Sequence, residues 1–178
     1  ELAKSLHGKN LPAALIGTPW RQDGKLYNAA LLLDGGTVKH TRLKHELPNY
    51  GVFDEKRVFE PGPLPGPIPF KGVRLGVMVC EDLWFPVDKV DVRLNIAIER
   101  VSETKLASLY VNQIGGQDEL AFDGGSFVVN PDYTMAVRAP FWTEALMMTE
   151  WNRSVDGWVC APGHVQPSLS REENVYSA

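Results

Sequence analysis

The sequence predicts a mixed α/β protein in which strands dominate, and three observations carry that prediction. Apolar runs of strand length recur between turns rich in Gly, Asp and Pro, one segment has a clear helical stripe, and five prolines between Pro61 and Pro69 set a first group of strands apart from the rest. With 178 residues and 44% hydrophobic content, the chain is long enough to bury one sizeable core. A single domain is the expectation.

The elements follow in order. Leu2 to Leu6 reads as the tail of a helix that Gly8 ends. Ala13 to Trp20 is a strand, Gln22 to Lys25 a turn, and Tyr27 to Leu33 a second strand. Asp34-Gly35-Gly36 then turns the chain into a third strand, Thr37 to Leu43, which completes an antiparallel meander. Proline lacks an N–H to pair and cannot continue a helix, so Pro61 to Pro69 is expected as an extended surface connection. It leads to a strand over Val73 to Val79, where Val73, Leu75, Val77 and Val79 alternate before a sharp turn at Cys80. Leu94, Ala97, Ile98 and Val101 recur at i, i+3, i+4 and i+7, placing an amphipathic helix over Asp91 to Glu103. Further strands are expected at Ser108 to Ile114, Ser126 to Val129 and Met135 to Ala139, with Pro131-Asp132 as the turn between the last two. Ala145 to Trp151 reads as a short helix and the chain from Ala161 onward as an irregular tail. A meander, a crossover with a helix and a second meander argue for a mixed sheet with helices on one face and a second layer on the other.

Composition narrows the function. A net charge of −4 without a basic stripe argues against nucleic acid or an anionic membrane as partner, so a small substrate is expected. No apolar run approaches the roughly 18 residues of a spanning helix, and the N-terminus lacks the pattern of a secretion signal. Cys80 and Cys160 make no disulfide framework, although one bridge between them stays open, and a reducing cytoplasm is the expected location. No pair of Cys or His residues has the spacing of a structural zinc site, so no metal is expected.

The stretch GVMVCEDLWFP, residues 76–86, does not fit an ordinary core. A free cysteine usually behaves as a small buried hydrophobe. Cys80 instead stands at a strand end beside two carboxylates and aromatic residues, where a rigidly held side chain still reaches a pocket. A useful nucleophile also needs a cation that favours the thiolate, donors for an oxyanion and a group to move protons. Lys44, directly after the third strand, would supply the cation; its ordinary alternative is a solvated surface charge. Leu47-Pro48-Asn49-Tyr50 fixes a turn beside it, and Tyr50 and Phe53 offer an aromatic wall.

The segments LKHELPNYGVFDEKRVF, GVMVCEDLWFP, DVRLNIAIERVSET and VNQIGGQDELAFDGGSFVVN together resemble the nitrilase-type (carbon–nitrogen hydrolase) glutaminase domains of bacterial glutamine-dependent NAD synthetases. The likeness runs from about residue 13 to Cys160. It implies a four-layer α-β-β-α sandwich and residues 1–178 as part of a glutamine amidohydrolase domain, with the synthetase domain absent from the chain. It further implies Cys80 as nucleophile and Lys44 as the cationic member of a Glu-Lys-Cys triad, with Glu55 supporting the lysine and the thioester step. Glu81 would give its backbone N–H to the oxyanion site, Tyr50 and Phe53 would line the glutamine pocket, and Arg93 would hold the substrate's α-carboxylate. For Glu55 the ordinary alternative is a surface salt bridge with Arg57 or Lys56.

The resemblance also implies partners: glutamine, a synthetase domain of the same polypeptide acting on deamido-NAD, and further copies of the chain in a homo-oligomer. The glutaminase step needs no cofactor, whereas ATP and Mg2+ serve the complete enzyme. Two departures stand out. The family's triad glutamate precedes the lysine in a strand-end motif, yet only Glu1 lies ahead of Lys44, so the first strand and helix of the fold are expected to be missing. The passage from Pro86 to Lys89 is also too short for a strand-to-helix crossover, which implies a missing internal segment. A free-standing amidase on another amide and a non-catalytic nitrilase-like scaffold are the alternative functions.

Overall fold

The structure, a computed structural model, describes residues 1–8, 11–84, 93–117, 119–155 and 157–178. The chain divides into two compact units, Glu1–Asp88 and Lys89–Ala178.

In the first unit a short helix, α1 (Leu2–Ser5), precedes three strands, β1 (Ala14–Gln22), β2 (Lys25–Asp34) and β3 (Thr37–Leu43), paired antiparallel in the order β1-β2-β3. Gln22 opposite Lys25 closes a two-residue turn in which Asp23 and Gly24 both have positive φ, 50° and 77°. Asp-Gly is the pair that tolerates this best, and such a turn matches the twist of the flanking strands. Residues Ala29 to Leu33 of β2 are all buried. One side, Ala29, Leu31 and Leu33, packs with Ala3, Leu6, Ala14, Ile16 and Trp20; the other, Ala30 and Leu32, packs with Ile68, Val77, Leu75 and Val79. Both faces are covered, which is why this strand reads as a continuous apolar run.

The proline-rich tract is irregular up to Pro67, then gives β4 (Ile68–Phe70), which pairs with β5 (Val73–Leu75). Pro69 lies opposite Arg74 in this two-stranded ribbon, a setting that asks for few donors. The expected strand Val73 to Val79 is therefore hydrogen-bonded only as far as Leu75. Its inward period nevertheless persists: Val77 and Val79 still join the core while Gly76 and Met78 face out. That alternation carries the chain to Cys80 and into a one-turn helix, α2 (Glu81–Trp84).

The second unit opens on α3 (Arg93–Thr104); Asp91 and Val92, the expected first residues of this helix, lie outside the described residues. Its stripe, Leu94, Ala97, Ile98 and Val101, packs on Phe127, Val129, Tyr110 and Met135. Those residues belong to a sheet of β6 (Ser108–Tyr110), β9 (Phe127–Val129) and β10 (Met135–Arg138) in the order β10-β9-β6. The sheet's opposite face, Val128, Ala136 and Val137, packs with Cys160, Met147 and Trp151. Between β6 and β9 lies a hairpin of β7 (Ile114–Gln117) and β8 (Leu120–Asp123), so the expected strand Ser108 to Ile114 ends at Tyr110.

Two further differences concern the C-terminal part. Ala145 to Trp151 is extended rather than helical and leads into β11 (Trp151–Ser154), which pairs with β12 (Gly157–Cys160). Met147, Thr149 and Trp151 turn inward while Leu146 and Met148 are 94% and 88% exposed, a period of two that a helix could not give. The tail also contains α4 (Arg171–Ser177), started by a capping box in which Ser170 and Glu173 satisfy each other's backbone N–H groups.

Candidate active site

Lys44 is placed by its own backbone before its side chain is considered. Its N–H donates to the carbonyl of Asn28 at 2.8 Å, and its carbonyl accepts from the N–H of Gly62 at 2.7 Å. Gly62 is required there by space, because a Cβ would fall 2.5 Å from the Cβ of Leu43. The Lys44 side chain has no exposed surface, against the ordinary expectation for a strand-end lysine. Its Nζ donates to both oxygens of Glu55, at 2.9 and 2.8 Å, and the amide of Asn28 donates to the same carboxylate at 3.3 Å. Glu55 opens a single 3₁₀ turn, Glu55–Arg57, and its N–H is held by the carbonyl of Pro48 at 3.2 Å. Glu55 is thus the partner of Lys44, and the alternative of a surface pair with Arg57 or Lys56 falls away; Arg57 pairs with Asp54.

Cys80 sits between the inward alternation ending at Val79 and helix α2, with φ at 50°. A left-handed conformation is costly for a residue with a Cβ, and a reactive side chain on a strained strand-to-helix turn is a recurrent way of presenting a nucleophile. The residue is exposed, whereas the other free cysteine, Cys160, is fully buried. Around the thiol stand Lys44, Glu81 and Glu55, whose charges all reach it, and the N–H of Glu81 bonds to the sulfur.

The thiol pKa is nevertheless raised. Loss of water around the sulfur is the largest cause; Lys44 pulls the other way, Glu81 and Glu55 push up, and the Glu81 N–H lowers. Lys44 thus acts in the expected direction, favouring the thiolate, but desolvation outweighs it. The Glu55 carboxylate paired with the ammonium, and Glu81 beside it, add to desolvation and oppose the pull of Lys44.

The hydroxyl of Tyr50 donates to Glu81 at 2.8 Å, and the Tyr50 ring meets that of Phe53 edge to face at 5.8 Å. Burial first, then this bond and the Glu81 charge, push the Tyr50 phenol up to about 12. Tyr50 thus links Phe53 to Glu81, the residue that follows Cys80. Arg93 belongs to the second unit, where its guanidinium makes two bonds of 2.6 Å to Asp123. Asn112 donates to the same carboxylate at 3.0 Å.

Two residues of the site have no counterpart in the sequence reading. Asn28 supports both the backbone of Lys44 and the carboxylate of Glu55. Asp82 receives three main-chain N–H groups: Oδ1 accepts from His45 at 3.0 Å and Glu46 at 2.9 Å, and Oδ2 from Val79 at 3.1 Å. The acidic doublet after the cysteine was the only signal, and it does not say which carboxylate turns inward. Among the described residues no group of three His, Cys, Asp or Glu side chains could hold a metal ion. No helix among them is long and apolar enough to cross a membrane.

The Carbon-nitrogen hydrolase family matches residues 2–98. The glutamine-dependent NAD(+) synthetase of Rhodobacter capsulatus is 38% identical over 190 residues, covering 94% of this chain and 34% of that protein. Among solved structures, the glutamine-dependent NAD+ synthetase of Acinetobacter baumannii, in complex with adenosine diphosphate, superposes with a TM-score of 0.83 at 31% identity over 94% of this chain and 36% of that one. A mutant of the amidase of Nesterenkonia sp. AN1, with the acetamide moiety of fluoroacetamide added covalently at its active-site cysteine, gives a TM-score of 0.61 at 26% identity, covering 72% of this chain and 57% of that chain. The chain spans about a third of the length of the curated relatives it matches.

Proposed function

Because the chain belongs to the carbon–nitrogen hydrolase family and has the mixed α/β fold of the nitrilase type, we propose that it is the glutamine amidohydrolase part of a glutamine-dependent NAD synthetase. The single observation that carries this reading is that Cys80, on its strained turn, lies within reach of the charges of the buried Lys44–Glu55 pair. The covalent adduct on the cysteine of the related amidase supports Cys80 as the nucleophile.

Cys80 begins as a thiol, so its proton must leave as the sulfur attacks the side-chain carbonyl carbon of glutamine. The family's triad glutamate, expected ahead of Lys44, is the proposed base. Glu55 is committed to Lys44 and serves to hold it. As the C–S bond forms, the carbonyl oxygen gains charge, and the third N–H of Lys44 with the N–H of Glu81 would receive it. The C–N bond then breaks, the leaving nitrogen takes up the proton as ammonia, and a glutamyl thioester remains on Cys80. Water attacks that thioester, releasing glutamate and restoring the thiol. Tyr50 and Phe53 form the proposed pocket wall; Arg93, for which the resemblance implies a contact to the α-carboxylate, is paired with Asp123 in the second unit.

In the whole protein, ammonia would pass to a synthetase domain that uses ATP and Mg2+ to amidate deamido-NAD in the cytoplasm; no step described for this chain runs through those groups. The test is treatment of the intact protein with a glutamine-like electrophile followed by peptide mapping. Modification confined to Cys80, with loss of glutamine-dependent but not ammonium-dependent synthesis, is expected. Modification of Cys160 instead, or full glutamine turnover by Cys80→Ala, overturns the reading.

A further inference from the structure

We propose that Asp82 is the positioning residue of this site, the group that sets Lys44 and Cys80 at a working separation. It acts on the proposed chemistry, and so rests on the reading of Cys80 and Lys44 above, but it touches neither substrate nor reacting atoms.

The Asp82 carboxylate binds backbone. All three of its partners are main-chain N–H groups: those of His45 and Glu46, at 3.0 and 2.9 Å, and that of Val79, at 3.1 Å. The first two begin directly after Lys44, and the third immediately precedes Cys80. One side chain therefore ties the peptide that follows the cation to the peptide that leads into the thiol. Asp82 also donates its own N–H to the carbonyl of Val79 at 3.2 Å, while Leu83 donates to the carbonyl of Cys80 at 3.0 Å. These bonds bracket Cys80 on both sides and hold its left-handed φ of 50°. Such a conformation persists only where the surroundings over-determine it.

The chemistry of the residue suits the task. A carboxylate offers two acceptor oxygens at fixed splay, and its bonds to N–H groups are charge-assisted and shorter than neutral ones. Asparagine would turn an NH2 toward one of the donors, and glutamate would set the oxygens one methylene further out. Because the partners are backbone groups, one side-chain conformation of Asp82 fixes the main chain of both segments at once. A second link between the two segments, from Tyr50 to Glu81, is exposed and competes with water. Asp82 is partly buried, and so are its three bonds.

The experiment compares Asp82→Asn and Asp82→Glu with the wild type in the intact protein. Glutamine turnover is divided by the number of sites titrated with a glutamine-like electrophile, and the alkylation rate of Cys80 by iodoacetamide is followed against pH. A misplacement of about 1 Å commonly costs about 10²-fold in rate. For Asp82→Asn the expected result is a kcat per titrated site lower by about 10- to 100-fold with KM changed less than about threefold. The alkylation profile should move to higher pH, because Lys44 is the charged group that favours ionisation of the sulfur, together with the Glu81 N–H, while the Glu81 and Glu55 carboxylates oppose it. If Asp82→Asn does not fold, Asp82→Glu, which keeps the charge and shifts the oxygens, carries the same comparison. A merely structural carboxylate would lower the yield of folded protein and leave kcat per site and the pH profile at their wild-type values, and that result overturns the proposal. Turnover retained by Cys80→Ala would overturn the reading of the site and this inference with it. An inactive Cys80→Ala beside an Asp82→Asn of wild-type kcat per site would overturn the inference alone.

Discussion

The ammonium of Lys44 and the carboxylate of Glu55 form a closed pair, with both oxygens of the glutamate within 2.9 Å of a nitrogen that has no exposed surface. Breaking such a pair from one side leaves an uncompensated buried charge, whereas replacing both members leaves none. Glu55→Ala is therefore expected to destabilise this unit by about 3–5 kcal/mol. The double variant Lys44→Met, Glu55→Leu should recover much of that loss. Urea unfolding of the single and double variants measures the difference, and equal losses in both would show that the pair is not the source.

Lys44→Ala should abolish glutamine-dependent synthesis in the intact protein while synthesis from added ammonium continues. Loss of one oxyanion donor typically costs about 10²–10³ in rate. A parallel fall of both activities in folded protein would make the lysine structural.

The thiol of Cys80 is raised above the usual cysteine range, so its alkylation rate should still be climbing at a pH where a free thiol has levelled off. The sign for a neighbour follows: Glu81 favours the protonated sulfur, so Glu81→Gln should move the profile to lower pH. Cys160 should stay unlabelled until the protein unfolds, since it is fully buried and its thiol is raised by burial alone. Stopped-time alkylation with mass spectrometry reads all three outcomes.

Gly62→Ala tests the contact that seats Lys44 from behind. The added methyl would fall 2.5 Å from the Leu43 Cβ and 2.7 Å from its carbonyl oxygen, so the tract must move away. Overpacking of this kind costs about 1–3 kcal/mol. It should also stretch the bond from the Gly62 N–H to the Lys44 carbonyl, seen as faster hydrogen exchange at Gly62.

The first three strands were legible because turn chemistry and burial agree there: Asp23-Gly24 and Asp34-Gly35-Gly36 mark the reversals, and β2 is apolar on both faces. The β7–β8 hairpin was not, since Ile114 to Gln117 are all exposed and leave no alternation to read. The segment before β11 misled for the opposite reason. Leu146, Met147 and Met148 look like helix formers, and their extended form is decided by Met147 packing on a sheet built from distant residues.

In the site, the grouping of Cys80, Lys44, Glu55, Tyr50 and Glu81 came through motif resemblance and was found together in the first unit. Spacing alone could not have joined Asp82 to His45, because 37 residues separate them and the bonds run to backbone, which carries no residue signature. Asn28 is hidden in the same way, 27 residues from Glu55 in the middle of an apolar strand.

The left-handed backbone at Cys80 means that reactivity here is held against the fold's own preference. Glycine is the residue that this conformation accepts at no steric cost, and a left-handed residue with a Cβ loses about 1–2 kcal/mol by comparison. Cys80→Gly should therefore give a protein with no nucleophile that is harder to melt than Cys80→Ala. Selection for thermal tolerance alone would drift toward that inert variant. A directed-evolution screen on this scaffold that scores only surviving folded protein should accumulate glycine at this position, and one that scores ammonia release should exclude it.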